Sequence, residues 1–402
     1  MQLAYLHYLC NGASGLNHVH QFAQAAEALG HRVTVCAMNL APETPSERTH
    51  SRGAAQLREA IKKRFGRYLH EPKELLWNLR YTPRETKLVR SIRPDVLIVR
   101  GSLLSCSCTF VARRLDVPLV LEINAPAMES RLYFDEYWHI PAVPEWLEEW
   151  TLRRADALTV VSGALMRYFI DRYRLPESKF TIVPNGADTL VFRPGRTCDP
   201  EVRKRLAHGT VIGFVGSFQK FHGSELLSRM ALEVGTARPS VRFLFVGDGP
   251  GLEEVRQATS PLRERAHFVG AVPHERIPGL VVCMDIGVMP ETNSYGSPLK
   301  VLEWMAAGRA VVAPRVGPLE ELIEDGVHGV LFPPGDIRTL IEAILKLTDN
   351  PERAKRMGAA AAEKVRSSLT WTHNAERVLS ACERARIHHR EAKQKPRLPS
   401  TR

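Results

Sequence analysis

Glycine-bearing turns follow several predicted strands, and they are the segments of this chain best suited to hold a phosphate. The turns are Asn11–Gly15, Gly216–Ser217, Gly247–Pro250 and Tyr295–Pro298. Glycine lets backbone N–H groups approach an anion, and in open α/β sheets the ligand crevice lies at the carboxyl ends of the strands. One such turn is more often plain chain geometry. Two of them in the second half of the chain together favour a nucleotide diphosphate.

A carboxylate on an otherwise apolar helix lies in the densest motif of the sequence. Residues 298–308 predict a turn with Pro298, a short helix and a stop at Gly308, and Glu303 lies on that helix. Burying an unpaired carboxylate is costly, so Glu303 must have a partner or bind a ligand. A ribose diol offers two hydroxyl donors to one carboxylate. The alternatives are a structural glutamate of the first helical turn and a surface salt bridge.

The elements that must position these residues alternate between short apolar runs and longer amphipathic segments. The Val/Ile/Leu-rich runs are typical of strands buried on both faces of a parallel sheet. One series fills the first half, and a second follows the polar stretch Phe192–Gly195. We therefore predict an α/β chain with two doubly wound sheets, and the mid-chain linker disfavours the alternative of one eight-fold barrel. The predicted strands are Leu3–Leu9, Arg32–Ala37, Val96–Val99, Leu119–Ile123, Ala157–Val161, Phe180–Val183, Thr210–Val215, Arg242–Val246, Ala266–Val269, Ile286–Met289, Ala310–Ala313 and Val330–Phe332.

Composition places the chain among ordinary globular proteins with a basic surface. The 402 residues include 55 Lys and Arg against 44 Asp and Glu, a formal charge of +11, and 44% are hydrophobic. Collagen-like, low-complexity and wholly disordered classes are excluded. The sequence predicts neither a membrane-spanning helix nor a signal peptide at its start. Seven irregularly spaced cysteines predict free thiols rather than a disulfide framework, so we expect a cytoplasmic protein. The excess of positive charge indicates anionic partners.

An ordered set of motifs along about residues 1–385 resembles the family 4 retaining glycosyltransferases of the GT-B fold. The resemblance implies two Rossmann-like domains facing across a cleft. It assigns 1–192 to an acceptor-binding domain and 193–370 to a nucleotide-sugar-binding domain. A helix at about 371–388 is expected to pack back on the first domain, before a basic tail at 389–402. The motifs are Gly15–Val19, Leu29–Val35, Arg154–Ser162, Ile182–Asp188, Phe214–Ser217, Phe245–Pro250, Phe268–Gly270, the Glu303 helix, Glu320–Ile323 and Gly329–Asp336.

The activity implied is transfer of a sugar from a UDP- or GDP-sugar to an acceptor hydroxyl with retained anomeric configuration. The products implied are polysaccharides, glycolipids or other glycoconjugates. No pair of carboxylates stands out as nucleophile and acid, unlike in glycosidases. In the family the leaving diphosphate is thought to take the acceptor's proton, so stabilising that diphosphate is the main catalytic task. The resemblance implies no cofactor and no metal ion.

Site residues carry over from the family only in part. Glu303 matches the second glutamate of the E-x7-E motif, which binds the ribose, whereas Tyr295 replaces the first. Ser217 and His222 replace the phosphate-binding Arg and Lys, and Asn124 replaces the histidine of the first domain. Ser297–Lys300 resembles a Ser-Pro-x-Lys variant of this motif. Either Lys220 or Lys300 is expected to restore the cation, and the sequence does not decide between them. The catalytic candidates are Lys220, His222, Lys300 and Asn124, and the predicted substrate-binding set is Gly15, Asn124, Gly216, Ser217, Lys220, His222, Gly247, Val272, Tyr295, Gly296, Ser297, Lys300, Val301, Leu302 and Glu303.

Those substitutions leave a second hypothesis open, a nucleotide-sugar-binding scaffold with weakened catalysis. A GT-B epimerase or phosphorylase lacks a supporting motif. A dehydrogenase is excluded because no intact G-x-G-x-x-G opens a helix with an acidic residue about 20 positions on.

The remaining predictions concern partners. The basic amphipathic segment 57–69 suits either an anionic membrane surface or packing on the first domain. An insertion at Met128–Trp150, with Trp138, Trp146 and Trp150, is expected to shape the site of a saccharide or lipid-linked acceptor, although burial explains these rings too. His7, His18 and His20 straddle a strand and a helix, so we predict no metal site there. No nucleic-acid partner is expected.

Overall fold

The computed structural model describes residues 1–9, 15–38, 72, 75–101, 104–126, 141–206, 209–219 and 222–394. They form two compact units. The first contains residues 1–160, 166–183 and the chain from Ala375 on, and the second contains 161–165 and 184–374. The predictions for segment 57–69, Trp138 and Lys220 lie outside the described residues.

A six-stranded parallel sheet forms the centre of the first unit. Its order is β2-β1-β3-β4-β5-β6, with β1 between β2 and β3. The predicted strands are present, with ends shifted by one or two residues. They are β1 (Gln2–His7), β2 (Arg32–Ala37), β3 (Val96–Arg100), β4 (Leu119–Ile123), β5 (Ala157–Val160) and β6 (Phe180–Ile182).

Helices flank this sheet between its strands, as expected for parallel strands joined by crossovers. The first, α1, places Val19 and Phe22 against Leu3 and Tyr5 in the core. The helices of this half are α1 (Gly15–Ala28), α2 (75–92), α3 (Ser107–Leu115), α4 (Ala142–Arg154) and α5 (Gly163–Tyr173), with a 3-10 turn at Glu177–Lys179.

The second unit is built on another six-stranded parallel sheet, of order β12-β11-β10-β7-β8-β9. Alternate residues of its strands enter two different core clusters: Phe243 and Phe245 belong to one, and Leu244 and Val246 to the other. Both faces are therefore buried, which is why these strands are continuously apolar in sequence. The strands are β7 (Val211–Val215), β8 (Arg242–Val246), β9 (Ala266–Gly270), β10 (Ile286–Val288), β11 (Ala310–Pro314) and β12 (Val330–Phe332). The prediction of two doubly wound sheets is confirmed.

The helices of the second half begin at side-chain caps or prolines in several cases. Asp199 and Asp336 accept hydrogen bonds from the first-turn N–H groups of their helices. The helices are α6 (Pro200–Arg205), α7 (Ser224–Ala237), α8 (Leu252–Ala258), α9 (Ile277–Val281), α10 (Leu299–Ala306), α11 (Gly317–Leu322), α12 (Ile337–Thr348), α13 (Pro351–Ser368) and α14 (Trp371–Gln394), with 3-10 turns at Ser260–Arg265 and His274–Arg276. None of the helices within the described residues is long and apolar enough to cross a bilayer.

The last helix is longer than the predicted 371–388. An apolar stripe on α14, which includes Ala375, Val378 and Cys382, packs in the core of the first unit. Beyond it, His389 Nε2 lies 3.1 Å from Asp116 Oδ1 and Lys393 Nζ lies 2.5 Å from Asp116 Oδ2. Residues 389–394 are thus helical, so α14 extends into the segment that was expected to form the basic tail.

The division between the units also differs from the predicted boundary at 192. Ala187 and Phe192 lie in the core of the second unit, and Ala187 N donates to Leu369 O at 2.9 Å. The chain therefore enters the second unit at Pro184, since the apolar residues that follow it pack there.

The prediction that all seven cysteines are thiols is wrong for two of them. Cys198 and Cys283 form a disulfide, although 85 positions separate them in sequence. The fold brings them together because Asp199 N donates to Gly279 O at 3.0 Å, which fixes the start of α6 beside α9. Such a pairing depends on tertiary contacts, so the spacing of the cysteines along the sequence does not predict it.

We predict that Gly247→Ala strongly destabilises the second unit. A Cβ at Gly247 would lie 1.9 Å from the Gly216 carbonyl oxygen, and the φ of Gly247 is +122°. Backbone cannot yield as a flexible side chain does, so we expect a loss above about 3 kcal/mol. Gly335→Ala is the matched control: its φ is +76° and nothing lies within 4 Å of the added Cβ. It should lose only about 1 kcal/mol. Urea unfolding of both variants measures this, and equal losses would contradict it.

Candidate functional site

In the second unit the predicted glycine turns meet at the carboxyl ends of β7 and β8. Gly216 N donates to Val246 O at 3.0 Å, and Gly251 N donates to Phe218 O at 2.9 Å. The backbone of Gly247 lies directly against the Gly216 carbonyl, as the collision of an added Cβ shows. The two turns therefore pack backbone to backbone, with Ser217 exposed beside them.

The turn before α10 is held by side chains outside the predicted site set. The Ser162 hydroxyl donates to Tyr295 O at 2.7 Å. The Asn185 amide donates from N to Ser297 Oγ at 3.1 Å and from Nδ2 to Ser297 O at 2.5 Å. Asn293 Oδ1 accepts from Gly296 N at 2.6 Å. Ser162 and Asn185 lie in two of the family motifs, Arg154–Ser162 and Ile182–Asp188. Their place in these motifs was the feature of the sequence that could have indicated a role for them.

Lys300 is the cation that the fold places at the glycine turn of β7. A Cβ on Gly216 would come within 2.5 Å of Lys300 Nζ, so the ammonium group lies beside that turn. Lys300 Nζ is also 4.7 Å from the ring centroid of Phe214 and 3.3 Å from His222 Nε2. The helix α10 thus directs its first turn at the carboxyl end of β7.

Burial sets the protonation of this group of side chains. It lowers the pKa of Lys300 to about 7, against an opposing effect of Glu303. It also lowers the pKa of His222 to about 3, with Lys300 adding to the effect. The pKa of Glu303 is raised to about 7, because burial outweighs the neighbouring Lys300. His222 is therefore uncharged near neutral pH and does not supply the cation that the replaced family lysine would.

Glu303 lies one helical turn beyond Lys300 and has no hydrogen-bond donor within the described residues. Its side chain is only 9% exposed. Buried carboxylates are normally satisfied by donors, so this one has its acceptor capacity available for a ligand. The salt bridge considered as an alternative is absent from the described part of the chain, where Lys300 acts on Glu303 only as a nearby charge.

The other residues of the predicted donor set are placed in different ways. Tyr295 and Ser297 are buried in the anchored turn. Val301 and Leu302 lie fully inside the core, so their side chains cannot face a ligand. Val272 follows β9 and packs partly buried against the same core.

In the first unit, Asn124 belongs to a buried cluster built around Glu122 at the end of β4. Asn124 Nδ2 donates to Glu122 Oε1 at 2.9 Å, and Arg100 Nη1 donates to the same oxygen at 2.7 Å. Tyr5 donates its hydroxyl to Glu122 Oε2 at 2.5 Å. His18 Nε2, from α1, lies 3.2 Å from Glu122 Oε1.

The hydrogen bonds and nearby positive charge of this cluster offset the cost of burying the Glu122 carboxylate. Burial alone would raise the pKa of Glu122, but His18 and Arg100 hold it well below the usual range. Neither Glu122 nor Arg100 was among the site residues predicted from the sequence. The available signal was a glutamate inside the apolar run Leu119–Ile123, where a carboxylate needs partners.

Gly15 opens α1 next to this cluster, and a Cβ there would lie 3.2 Å from Arg100 Nη2. The histidines for which no metal site was predicted lie in different environments. His18 belongs to the Glu122 cluster, whereas His20 is exposed. The described residues contain no group of three or more His, Cys, Asp or Glu side chains with metal-binding geometry.

The helix α4 forms the second part of the predicted insertion and carries two of its tryptophans. Trp146 is largely exposed, and the Trp150 ring stacks with the Arg154 guanidinium at 4.4 Å. Residues 128–140 of the insertion lie outside the described part of the chain.

Two family models match the chain one after the other. Glycosyltransferase Family 4 matches residues 16–190, and Glycosyl transferases group 1 matches residues 209–350. The chain belongs to the family 4 glycosyltransferases of the GT-B fold. The resemblance found in the sequence is thereby confirmed.

Relatives and solved structures agree with this family. D-inositol 3-phosphate glycosyltransferase of Nocardia farcinica is 28% identical over 252 residues, which are 60% of this chain and 55% of that protein. The chain therefore matches little more than half the length of this relative. Glycogen synthase of Mycobacterium tuberculosis is 26% identical over 405 residues, covering 95% of this chain and 93% of that protein. The structure of Anabaena HepE in complex with UDP superimposes with a TM-score of 0.71 at 16% identity, covering 94% of this chain and 99% of HepE.

We predict that Glu122→Gln destabilises the first unit by about 3–5 kcal/mol at pH 7, because it leaves Arg100 buried without its counter-charge. The low pKa of Glu122 stabilises the folded state above the unfolded value of 4.5, and this contribution is lost as the pH falls below it. The difference between wild type and variant should therefore shrink in acid. Urea unfolding at pH 7 and pH 4 tests this. Glu149→Gln, which breaks an exposed pair with Arg153, is the control and should change stability by about 0–1 kcal/mol.

We predict that UDP binding weakens as the pH rises from 7 to 9. Lys300, whose pKa is lowered to about 7, must take up a proton to pair with a diphosphate above that pH. Lys300→Arg keeps a charge and should flatten the profile, whereas Lys300→Met should bind weakly at every pH. Isothermal titration calorimetry across this range measures the effect.

The control for the pH profile is Lys346→Met, which removes an exposed lysine of the second unit. It should retain the wild-type pH dependence. A Lys300→Met variant with an unchanged pH slope would show that another group titrates.

Proposed function

We propose that the protein is a retaining glycosyltransferase that moves a sugar from a nucleotide diphosphate sugar to an acceptor hydroxyl. The observation that carries this proposal is the juxtaposition, on α10, of Lys300 beside the Gly216 turn and Glu303 one turn further on. A cation next to backbone N–H groups suits a diphosphate, and an unpartnered carboxylate nearby suits a ribose diol. HepE has been solved with UDP and with UDP-glucose, which supports a uridine donor.

The chemistry proposed for these residues centres on the leaving group. An arriving diphosphate raises the pKa of Lys300, so the lysine is protonated when the anomeric C–O bond breaks. Lys300 and the amides of the Gly216–Ser217 turn then stabilise the negative charge that develops on the diphosphate. The acceptor oxygen forms the new bond to the anomeric carbon, and its proton passes to the departing diphosphate. Glu303 holds the ribose and thereby the position of the reacting carbon.

Within this proposal a metal ion is not required, since Lys300 supplies the positive charge at the diphosphate. The first unit binds the acceptor, with Gly15 and Asn124 facing it. Transfer should therefore persist in EDTA.

The weakened scaffold remains the second candidate, and specific observations favour it. His222 is neutral where the family has a cation, and Tyr295 is buried in a turn where the family has a ligand-binding glutamate. A scaffold would bind nucleotide sugars through the same Lys300 and Glu303 without turnover. A measurement of sugar transfer therefore distinguishes the glycosyltransferase from the scaffold, whereas a measurement of nucleotide binding does not.

We also propose that the acceptor belongs to polysaccharide, glycolipid or glycoconjugate synthesis at an anionic membrane surface. The support is the basic amphipathic pattern of segment 57–69 and the net charge of +11, which attract anionic lipids.

We predict that Glu303→Ala weakens the binding of the correct nucleotide about 10- to 100-fold, because hydrogen bonds to a charged carboxylate contribute about 1.5–3 kcal/mol. Calorimetry with UDP, GDP and ADP identifies the base. Release of the nucleotide from the matching sugar donors, with and without EDTA, then measures turnover.

Glu342→Ala removes an exposed glutamate of the second unit and is the matched control, expected to bind as wild type does. Wild type that binds none of the nucleotides would overturn both candidates. Binding without turnover for any donor would favour the scaffold.

A further inference from the structure

The first unit contains a cavity of about 270 Å³ at the carboxyl ends of β3 and β4, bounded on one side by α4. This volume is near the lower end for small-molecule sites. Most of its walls are apolar, and they include Leu9, Val99, Leu104, Leu121, Ile123 and Leu147. Space of this kind favours a hydrocarbon group over water or a polyhydroxylated ring.

One end of the cavity is polar and belongs to the Glu122 cluster. Asn124 Nδ2 donates a hydrogen bond to Glu122 Oε1. Its Oδ1 has no donor within the described residues and can accept a hydrogen bond from a hydroxyl group. At the wall formed by α4, the buried Thr151 Oγ1 also has no partner in the described part of the chain. A ligand with one hydroxyl-bearing end and one apolar end fits this distribution.

The charges around the cavity disfavour an anionic occupant. Arg100 is paired at 2.7 Å with Glu122, and Glu148 adds a second carboxylate, which accepts from the Tyr173 hydroxyl at 2.6 Å. Two carboxylates therefore line the space against one guanidinium. These carboxylates disfavour a phosphate here and favour a neutral group inside.

We propose that this cavity binds a neutral hydrocarbon portion of the acceptor, whose hydroxyl-bearing portion lies at the Asn124 end. The acceptor class is then an alkyl- or ring-substituted alcohol or glycoside rather than a free sugar. This inference rests on the proposed function, because it treats the occupant as the acceptor of the transferred sugar.

Alkyl glucosides of increasing chain length are the probes for this assignment. Binding of methyl, hexyl and octyl β-D-glucoside to the full chain is measured by calorimetry without donor, below the micelle concentration. Each pair of buried methylenes gives about a tenfold gain, so octyl glucoside should bind at least tenfold more tightly than methyl glucoside. Dodecyl glucoside should add no further gain, because its chain outgrows the cavity, whereas adsorption on an open surface would keep strengthening.

Gly101→Leu fills the cavity without forcing the backbone. The nearest atom to an added Cβ at Gly101 is the Glu122 carbonyl oxygen at 3.8 Å. The φ of Gly101 lies outside the left-handed region, so a leucine fits the backbone conformation there. This variant should lose the preference for octyl over methyl glucoside. Thr151→Leu, which replaces the unpartnered hydroxyl, should do the same and serves if Gly101→Leu does not fold. The control Leu79→Ala removes an apolar side chain of the same unit that is 73% exposed and outside the cavity lining, and it should keep the preference.

The outcomes separate this inference from the proposed function. Equal affinity for methyl and octyl glucosides in wild type, or a chain-length preference lost in Leu79→Ala and retained in both cavity variants, overturns the cavity assignment. Chain-length-dependent binding that is lost in the cavity variants supports it. Adding the nucleotide sugar identified above then tests transfer: nucleotide release stimulated by octyl glucoside supports the acceptor role, and binding without any transfer overturns the proposed function while the cavity remains a ligand site.

Discussion

The second unit of this protein contains an ammonium group held in a partly desolvated position at the end of a parallel strand, and the arrangement of its glycine turns depends on it. Lys300 is kept beside the Gly216 turn by its place on α10 and by the Phe214 ring, and burial lowers its pKa to about 7. The free protein carries this unfavourable burial because the core residues of α10 fix the helix. An anion at the turn would restore the full charge. The energy of placing the cation is thus supplied by folding, before any ligand arrives.

The two units treat buried charge in opposite ways. Glu122 in the first unit has donors on both carboxylate oxygens, so its pKa lies well below the usual range. Glu303 in the second unit has none among the described residues, and its pKa is raised to about 7. A satisfied carboxylate stabilises a fold and orients its neighbours, here Arg100 and Asn124. An unsatisfied one retains its capacity for a ligand.

Positioning in the second unit is a property of backbone as much as of side chains. The turns after β7 and β8 touch through the Gly216 carbonyl and the Gly247 backbone, and the turn before α10 is held by Ser162 and Asn185. These contacts join segments from distant parts of the chain at the edge where parallel strands end. The departures from the family pattern at Tyr295 and Ser217 fall within this same backbone framework. The first unit instead contains an apolar cavity next to Asn124.

The sequence by itself determined the two parallel sheets and the family. Strands buried on both faces are continuously apolar, glycine turns punctuate them, and the ordered motifs extend over most of the chain. It also singled out Glu303, because a carboxylate on an apolar helix requires an explanation. Only the tertiary structure decided that Lys300 is the cation at the turn, that His222 is neutral, and that Glu122 organises the first unit. It also paired Cys198 with Cys283, moved the domain boundary to Pro184 and extended α14 to Gln394. The physical reason is common to all of these: desolvation and pairing depend on which distant residues pack together, and spacing along one chain carries no record of that.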